Sequence, residues 1–337
     1  MRKSILNKVD EIKELLNQII DPTLGISFKD ASSVIDVKIN EDQVVDLKIQ
    51  LKSRKKDENH IKLEIARLIK IKLGYPGLRI EFSDSKFNLE NEKKVMYIGV
   101  ISGKGGVGKS SVAANLAVAF KRLGKIVGII DADVYGSSLP SIFGLPIEPL
   151  STTEDDLLIP ADYDGLEVMS PEFFMPKNQP LMWRGPMLGK LITHFFNDVA
   201  WNPDIEIIVL DLPPGTGDIQ LDIQSFVPDA SMILVTTPHP NASHVALKAG
   251  LGAKEIGHEV IGVVENMSYY YNEASAKNEF IFGEGGGKQV AELLNAPLLA
   301  QIPINQPKNP ETYIYTLEDM NGKLYYALAR KILELIQ

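Results

Sequence analysis

The sequence predicts an α/β protein: a parallel sheet carrying a phosphate-binding loop, preceded by a small α/β domain. Three observations predict it. Residues 103–110 read Gly103-Lys104-Gly105-Gly106-Val107-Gly108-Lys109-Ser110, which satisfies the phosphate-loop pattern G-x-x-x-x-G-K-[ST]. An apolar run precedes that loop and an Ala-, Leu- and Val-rich segment of helical length follows it. Residues before 84 show shorter amphipathic and alternating patterns, as a separate, smaller unit would.

In chain order, residues 4–20 place apolar side chains at 5, 6, 9, 12, 15, 16, 19 and 20, the stripe of an amphipathic helix that Asp21-Pro22 ends. Residues 34–39 and 44–51 alternate as strands. Lys52-Ser53-Arg54-Lys55-Lys56 is the densest basic run and reads as a solvated hairpin or strand-to-helix loop. A second amphipathic helix over 61–73 stops at Gly74, and 78–82 reads as a third strand. The first domain is thus 1–83, the polar segment 84–94 is a linker, and 95–337 is the second domain.

The second domain begins with an apolar strand over 95–102. The helix after the loop spans 110–123, with Lys121 and Arg122 in its last turn and Gly124 as its stop. Residues 125–131 form the next buried strand, so strand, loop, helix and strand make one βαβ unit. The glycines turn backbone N–H groups inward around phosphate oxygens, and the helix N-terminus adds partial positive charge. Lys109 reaches the β- and γ-phosphates, and the Ser110 hydroxyl ligates Mg²⁺. Residues 207–211 are apolar and end in Asp211, the form of a Walker B strand whose carboxylate holds a water of the Mg²⁺ shell. Asp133, in Asp131-Ala132-Asp133, is placed to face the Mg²⁺ and the attacking water. Pro213-Pro214-Gly215-Thr216-Gly217-Asp218 reads as a switch loop that moves with the γ-phosphate. Strands over 231–237, 260–265 and 298–302, with helices between, complete the sheet. Residues 283–287 form a turn that opens a helix over 288–294. Residues 321–337 form an amphipathic helix that docks on the sheet, with Tyr325 and Tyr326 as packing residues.

The motifs GKGGVGKSS, DADVYGSSLP, MWRGPM (182–187), LDLPPGTGD, VTTP (235–238), VVENMS (263–268) and IFGEGGG (281–287) resemble, in this order, those of Mrp/ApbC-type ATPases. These belong with the MinD-like proteins that carry a deviant Walker A loop. The resemblance covers roughly 95–305. It implies a doubly wound, mostly parallel sheet and a homodimer with ATP at the interface, held by 103–111 (Ser111 included) and by Asn266, which matches the family's base-recognising asparagine. It also implies that Lys104 reaches the partner's nucleotide, so that Lys104, Lys109 and Asp133 form the catalytic set. The small first domain resembles one that stands alone in iron–sulfur assembly factors, with Asp21-Pro22-x-x-Gly25 as the shared element.

The family's usual output is iron–sulfur cluster carriage, with two cysteines spaced C-x-x-C after Asn-Met-Ser holding a cluster across the dimer. By register those positions are Asn272 and Ser275, and the chain contains no cysteine. Neither an amide nor a hydroxyl replaces soft thiolate sulfur. Relatives with a reactive cysteine after the second strand of the first domain are likewise unmatched, since Ser53-Arg54-Lys55-Lys56 stands there. Mrp-type proteins that lack the pair and act in gene regulation resemble the chain as well. The sequence therefore supports an ATP-hydrolysing cluster-assembly protein without its own ligands. The alternative is a regulatory switch acting on a protein client or on DNA.

Composition sets further bounds. Residues 1–94 hold 19 Lys/Arg against 16 Asp/Glu, and the rest holds 16 against 28, a balance of +3 followed by −12. An acidic ATPase domain suits generic phosphate-backbone binding poorly. No run of 18 apolar residues exists, and Met1-Arg2-Lys3-Ser4-Ile5 leads into a polar helix, so neither a membrane span nor a signal peptide is expected. The absence of cysteine fits a cytoplasmic setting. The five histidines (60, 194, 239, 244 and 258) lack close metal-ligand spacing.

Overall fold

Alternation in the N-terminal segment produces a half-covered sheet. Residues 2–29, 31–40, 42–51, 54–84, 95–174, 185–215 and 223–336 are described by the computed structural model of the chain. The chain divides into two compact units, Met1–Glu92 and Lys93–Gln337. In the first, β1 (Val34–Ile39) pairs antiparallel with β2 (Val44–Leu51), and β2 pairs in parallel with β3 (Gly77–Asp84). Val45, Leu47, Ile49 and Leu51 of β2 are buried, and the residues between them point away from that core. Helices α1 (Arg2–Leu16) and α2 (Arg54–Ala66) supply Ile12, Leu16, Ile61 and Ile65 to the same core.

Three boundaries in this unit differ from the sequence reading. Helix α1 ends at Leu16 rather than near residue 20, because Ile20 bridges to Ser27 and the Asp21 side chain takes over the turn. Its Oδ1 accepts from the backbone N–H groups of Thr23 (2.9 Å) and Leu24 (3.0 Å), a local competitor of helix. Helix α2 starts seven residues before the expected 61, so Arg54, Lys55 and Lys56 open a helix rather than form a loop. Lys52 and Ser53 lie outside the described residues. The helix continues as a π-helical stretch over Arg67–Lys72, where the Leu73 N–H donates to Leu68 O, five residues back. Asp84 belongs to β3; the rest of the expected linker, 85–94, lies outside the described residues.

In the second unit, apolar runs become strands buried on both faces. Among the described residues the sheet has eight strands, in the order β13-β10-β9-β4-β8-β5-β7-β6. These are β4 (Met96–Ser102), β5 (Val127–Asp131), β6 (Ala161–Tyr163), β7 (Leu166–Met169), β8 (Ile207–Asp211), β9 (Ser231–Thr236), β10 (Glu259–Asn266) and β13 (Leu298–Ile302). All neighbours are parallel except β6 with β7. Successive residues feed opposite cores: Ile207 and Val209 one face, Ile208 and Leu210 the other. Helices α3 (Lys109–Arg122) and α8 (Met320–Ile336) cover the first face. Helices α5 (Gly185–Asn197), α6 (Pro240–Glu255) and α7 (Gly286–Leu293) cover the second, which makes the sheet doubly wound. The short α4 (Leu139–Phe143) follows β5. Tyr325 of α8 is buried and stacks on Tyr315, with ring centroids 6.1 Å apart. The remaining strands, β11 (Tyr270–Asn272) and β12 (Lys277–Glu279), form a separate antiparallel hairpin.

Candidate nucleotide-binding site

The loop between β4 and α3 is shaped by close approach. A β-carbon at Gly103 would stand 2.3 Å from the backbone of Val245 in α6, so only glycine fits there. Gly108 caps α3 with φ of 82°, and a β-carbon there would meet Asn266 Nδ2 at 2.2 Å. Asn266, at the end of β10, donates Nδ2 to Val107 O at 2.9 Å and so ties the base of the loop to the sheet. Gly105 and Gly106 stand in open space. Lys104 is exposed; its carbonyl accepts from Ser102 Oγ at 3.1 Å.

Lys109, the first residue of α3, is buried and turned toward the strand ends. Its Nζ lies 2.6 Å from Asp211 Oδ1, 3.4 Å from Asp133 Oδ2 and 3.5 Å from Ser110 Oγ. The structure thus brings together every polar side chain expected to serve phosphate and metal in one subunit: Lys109, Ser110, Asp133 and Asp211. The switch loop begins beside them, with Pro214 lining the cavity and Gly215 N donating to Ser102 O at 2.8 Å. Thr216, Gly217 and Asp218 lie outside the described residues, as do Met182, Trp183 and Arg184.

Sequence reasoning missed the part played by Asp131. It faces Asp211 across the β5–β8 register, and both carboxylates are fully buried. Its Oδ2 accepts from the N–H groups of Ser138 (3.0 Å) and Leu139 (3.3 Å) and from Ser170 Oγ (3.2 Å). Asp131 Oδ1 and Asp211 Oδ2 have no hydrogen-bond partner among the described residues. Burial first, and the Asp211 charge second, push the Asp131 carboxyl up to about 8. Burial also raises Asp211, against the pull of Lys109. A carboxyl raised in the folded chain above its unfolded value near 3.8 contributes stability that falls as pH rises from about 4 toward 8. Asp131→Asn mimics the protonated group. Its melting temperature is expected to exceed the wild-type value near pH 8 and to match it near pH 4, read by thermal unfolding.

Two cavities meet at this loop. One, of about 650 Å³, is lined by Lys104, Lys109, Ser110, Asp133, Tyr135 and Pro214, among others. The second, of about 400 Å³, lies beside Asn266, Met267, Pro303, Asn305 and Tyr315. Gly108, Ser111 and Tyr313 line both.

Asn272 and Ser275 stand elsewhere, in the β11–β12 hairpin. Asn272 Oδ1 accepts from the N–H groups of Ala274 (3.0 Å) and Ser275 (3.2 Å), and its Nδ2 donates to Glu279 Oε1 at 2.7 Å. The Asn272 side chain builds an Asx turn, a role a thiolate does not fill, and Ser275 contributes its backbone N–H to it. Among the described residues no group of three His, Cys, Asp or Glu side chains is arranged to hold a metal ion. His239 instead caps α6, accepting from Asn241 N at 3.2 Å. No described helix is long and apolar enough to cross a membrane.

A phosphate loop after the central β4 of a doubly wound sheet, with carboxylates at the ends of β5 and β8, defines a P-loop NTPase fold. Residues 93–319 match the ParA family model described as NUBPL iron-transfer P-loop NTPase, and the chain belongs to that family. The iron-sulfur cluster carrier protein of Bacillus subtilis is 40% identical over 343 residues, covering 96% of this chain and 97% of that relative. The carrier protein of Aquifex aeolicus is 42% identical over 209 residues, 62% of this chain and 57% of its own length. Among solved structures, the nucleotide-binding protein from Archaeoglobus fulgidus in complex with ADP is 32% identical with a TM-score of 0.54, over 70% of this chain and 86% of that one. The MinD cell division protein of Aquifex aeolicus shares the fold at 20% identity and a TM-score of 0.51, over 71% of this chain and 98% of its own.

Proposed function

We propose that this chain is a Mg²⁺-dependent ATPase that works as a homodimeric switch in iron–sulfur cluster assembly without holding the cluster on its own side chains. The observation that carries this reading is the group around Lys109: one buried cation held by Asp211 and Asp133 at the mouth of a phosphate loop. Residues 103–111 take the phosphates of ATP, and Asn266 reads its base. When phosphates enter, Lys109 exchanges its carboxylate partners for β- and γ-oxygens. Ser110 and, partly through water, Asp133 and Asp211 would hold Mg²⁺ there. Mg²⁺ binds well through one or two carboxylates together with substrate phosphates. When bound it would supply positive charge that neutralises the phosphates. Asp133 orients the attacking water. Pro214 to Asp218 respond to the γ-phosphate, and Lys104 of each protomer completes the partner's site.

Cluster cargo does not fit the residues at the family's ligand positions. Asn272 and Ser275 are engaged in the turn of a hairpin, and the chain has no cysteine. No step is therefore assigned to thiolates of this chain. The small domain of residues 1–83 is of the iron–sulfur assembly type. A second reading, a regulatory switch on a protein client, draws support from exposed Tyr270, Tyr271, Phe280, Ile281 and Phe282 at the hairpin. The charge balance of the ATPase domain favours a protein client over DNA, and the setting is cytoplasmic.

One anaerobic preparation tests this reading. Iron-free protein is expected to hydrolyse Mg-ATP, and reconstitution with iron and sulfide is expected to leave no stable visible charge-transfer absorption after desalting. A stoichiometric, stable cluster would overturn the exclusion of cargo on this chain, and absence of hydrolysis would overturn the ATPase reading.

A further inference from the structure

The wall shared by the two cavities is built from a segment far from the loop in sequence. Tyr313 stands where the cavities meet and is 63% exposed, although its backbone is firmly held. Asn115, inside α3 and 2% exposed, donates Nδ2 to Tyr313 O (3.1 Å) and to Ser111 O (2.9 Å), and its Oδ1 accepts from Tyr315 N (2.9 Å). Tyr313 N donates to Ile142 O at 2.8 Å, and Arg122 Nη1 donates to Tyr315 O at 2.8 Å. The Tyr315 hydroxyl donates to Asn305 O at 2.6 Å, closing the strap around the second cavity. One amide thus links the turn that carries Ser111 to the strap that carries Tyr313. An aromatic ring is held in the open beside an apolar cavity, and its anchors are all backbone or buried.

We propose that Tyr313 grips the nucleoside of the bound nucleotide and that Asn115 is its positioning residue. The inference rests on the nucleotide reading of the loop and adds which side chain holds the non-phosphate half. A nucleotide with its phosphates at Lys109 passes between Gly108, Ser111 and the Tyr313 ring to reach the second cavity. There the ring offers a flat apolar face to sugar and base, while the phosphates gain nothing from it. Nucleoside contact is therefore separable from phosphate contact. Stacking of a base on an aromatic ring corresponds to about tenfold in affinity.

The test compares ATP with inorganic tripolyphosphate, each titrated calorimetrically into the full chain with Mg²⁺. Tyr313→Ala is expected to weaken ATP about tenfold and to leave tripolyphosphate unchanged, and Tyr313→Phe to bind both as wild type. Asn115→Ala, checked for folding by thermal unfolding, is expected to follow Tyr313→Ala. The proposal fails if Tyr313→Ala binds ATP as tightly as wild type, or if it loses ATP and tripolyphosphate alike. Because Tyr313 is exposed, its variants test the idea even if Asn115→Ala does not fold. A wild-type chain that binds neither ligand overturns the phosphate-loop reading together with this one. A wild-type chain that binds both equally overturns the nucleoside grip alone.

Discussion

Lys109→Ala is expected to abolish measurable ATP binding. The Lys109 ammonium is the cation that balances Asp211 and Asp133, at 2.6 Å and 3.4 Å. Its removal deletes the charge that meets the phosphates and leaves carboxylates facing them. Attraction becomes repulsion in a setting where Asp211 is fully buried and poorly screened. A second loss accompanies the first. Breaking a buried ion pair by removing one partner costs about 3–5 kcal/mol, because the other charge stays behind without compensation. Lys109→Ala should therefore melt well below wild type as well as fail in calorimetric titration with Mg-ATP. Adding Asp211→Asn should restore much of the stability and none of the binding. Wild-type affinity in the single variant would remove Lys109 from the site.

Lys104→Ala is expected to divide binding from chemistry. Lys104 sits on the same loop as Lys109 but is exposed, with only its carbonyl fixed by Ser102. An exposed cation at the rim of the cavity contributes less to binding within the protomer than the buried Lys109. Supplied to the site of a second protomer, it places positive charge where negative charge develops on the γ-phosphoryl group. Cations supplied in this way are worth about 10³-fold or more in rate. ATP affinity is expected to stay within a few-fold of wild type while hydrolysis falls by about three orders of magnitude.

How much of this was legible before the fold was in hand depended on where each constraint lies. The βαβ unit around 103–110 was legible because the loop pattern, the fully apolar strands on either side and Gly124 all act locally. The ends of β8 followed for the same reason: a strand buried on both faces reads as an uninterrupted apolar run. The end of α1 was not legible, since Ile19 and Ile20 keep the helical spacing while the Asp21 side chain breaks it. The start of α2 was hidden because its first turn, Arg54 to Asp57, is charged and carries no apolar period. The β11–β12 hairpin comprises strands of three residues, too short for an alternating pattern to stand out. Only its turn chemistry, an Asn two residues before Ala274, gave a local sign.

The site followed the same division. Lys109, Ser110, Asp133 and Asp211 were marked by motif, and the fold brings them within reach of one another. The raised Asp131 carboxyl was not marked, because the shift arises from burial beside Asp211, a partner 80 residues away on the next strand. The link from Asn115 to Tyr313 spans 198 residues, and no periodicity reports such a contact.

Central to the account is that hydrolysis belongs to a pair of protomers, with each loop served by the other's Lys104. Single-turnover hydrolysis at saturating Mg-ATP tests this most directly, with Lys104→Ala and Lys109→Ala measured apart and mixed in equal amounts. In the mixture a Lys104→Ala protomer keeps an intact phosphate loop and receives Lys104 from its partner. Almost no hydrolysis is expected from either variant alone, and clear recovery in the mixture. Hydrolysis by Lys104→Ala alone at the wild-type rate, or no recovery on mixing, would contradict it.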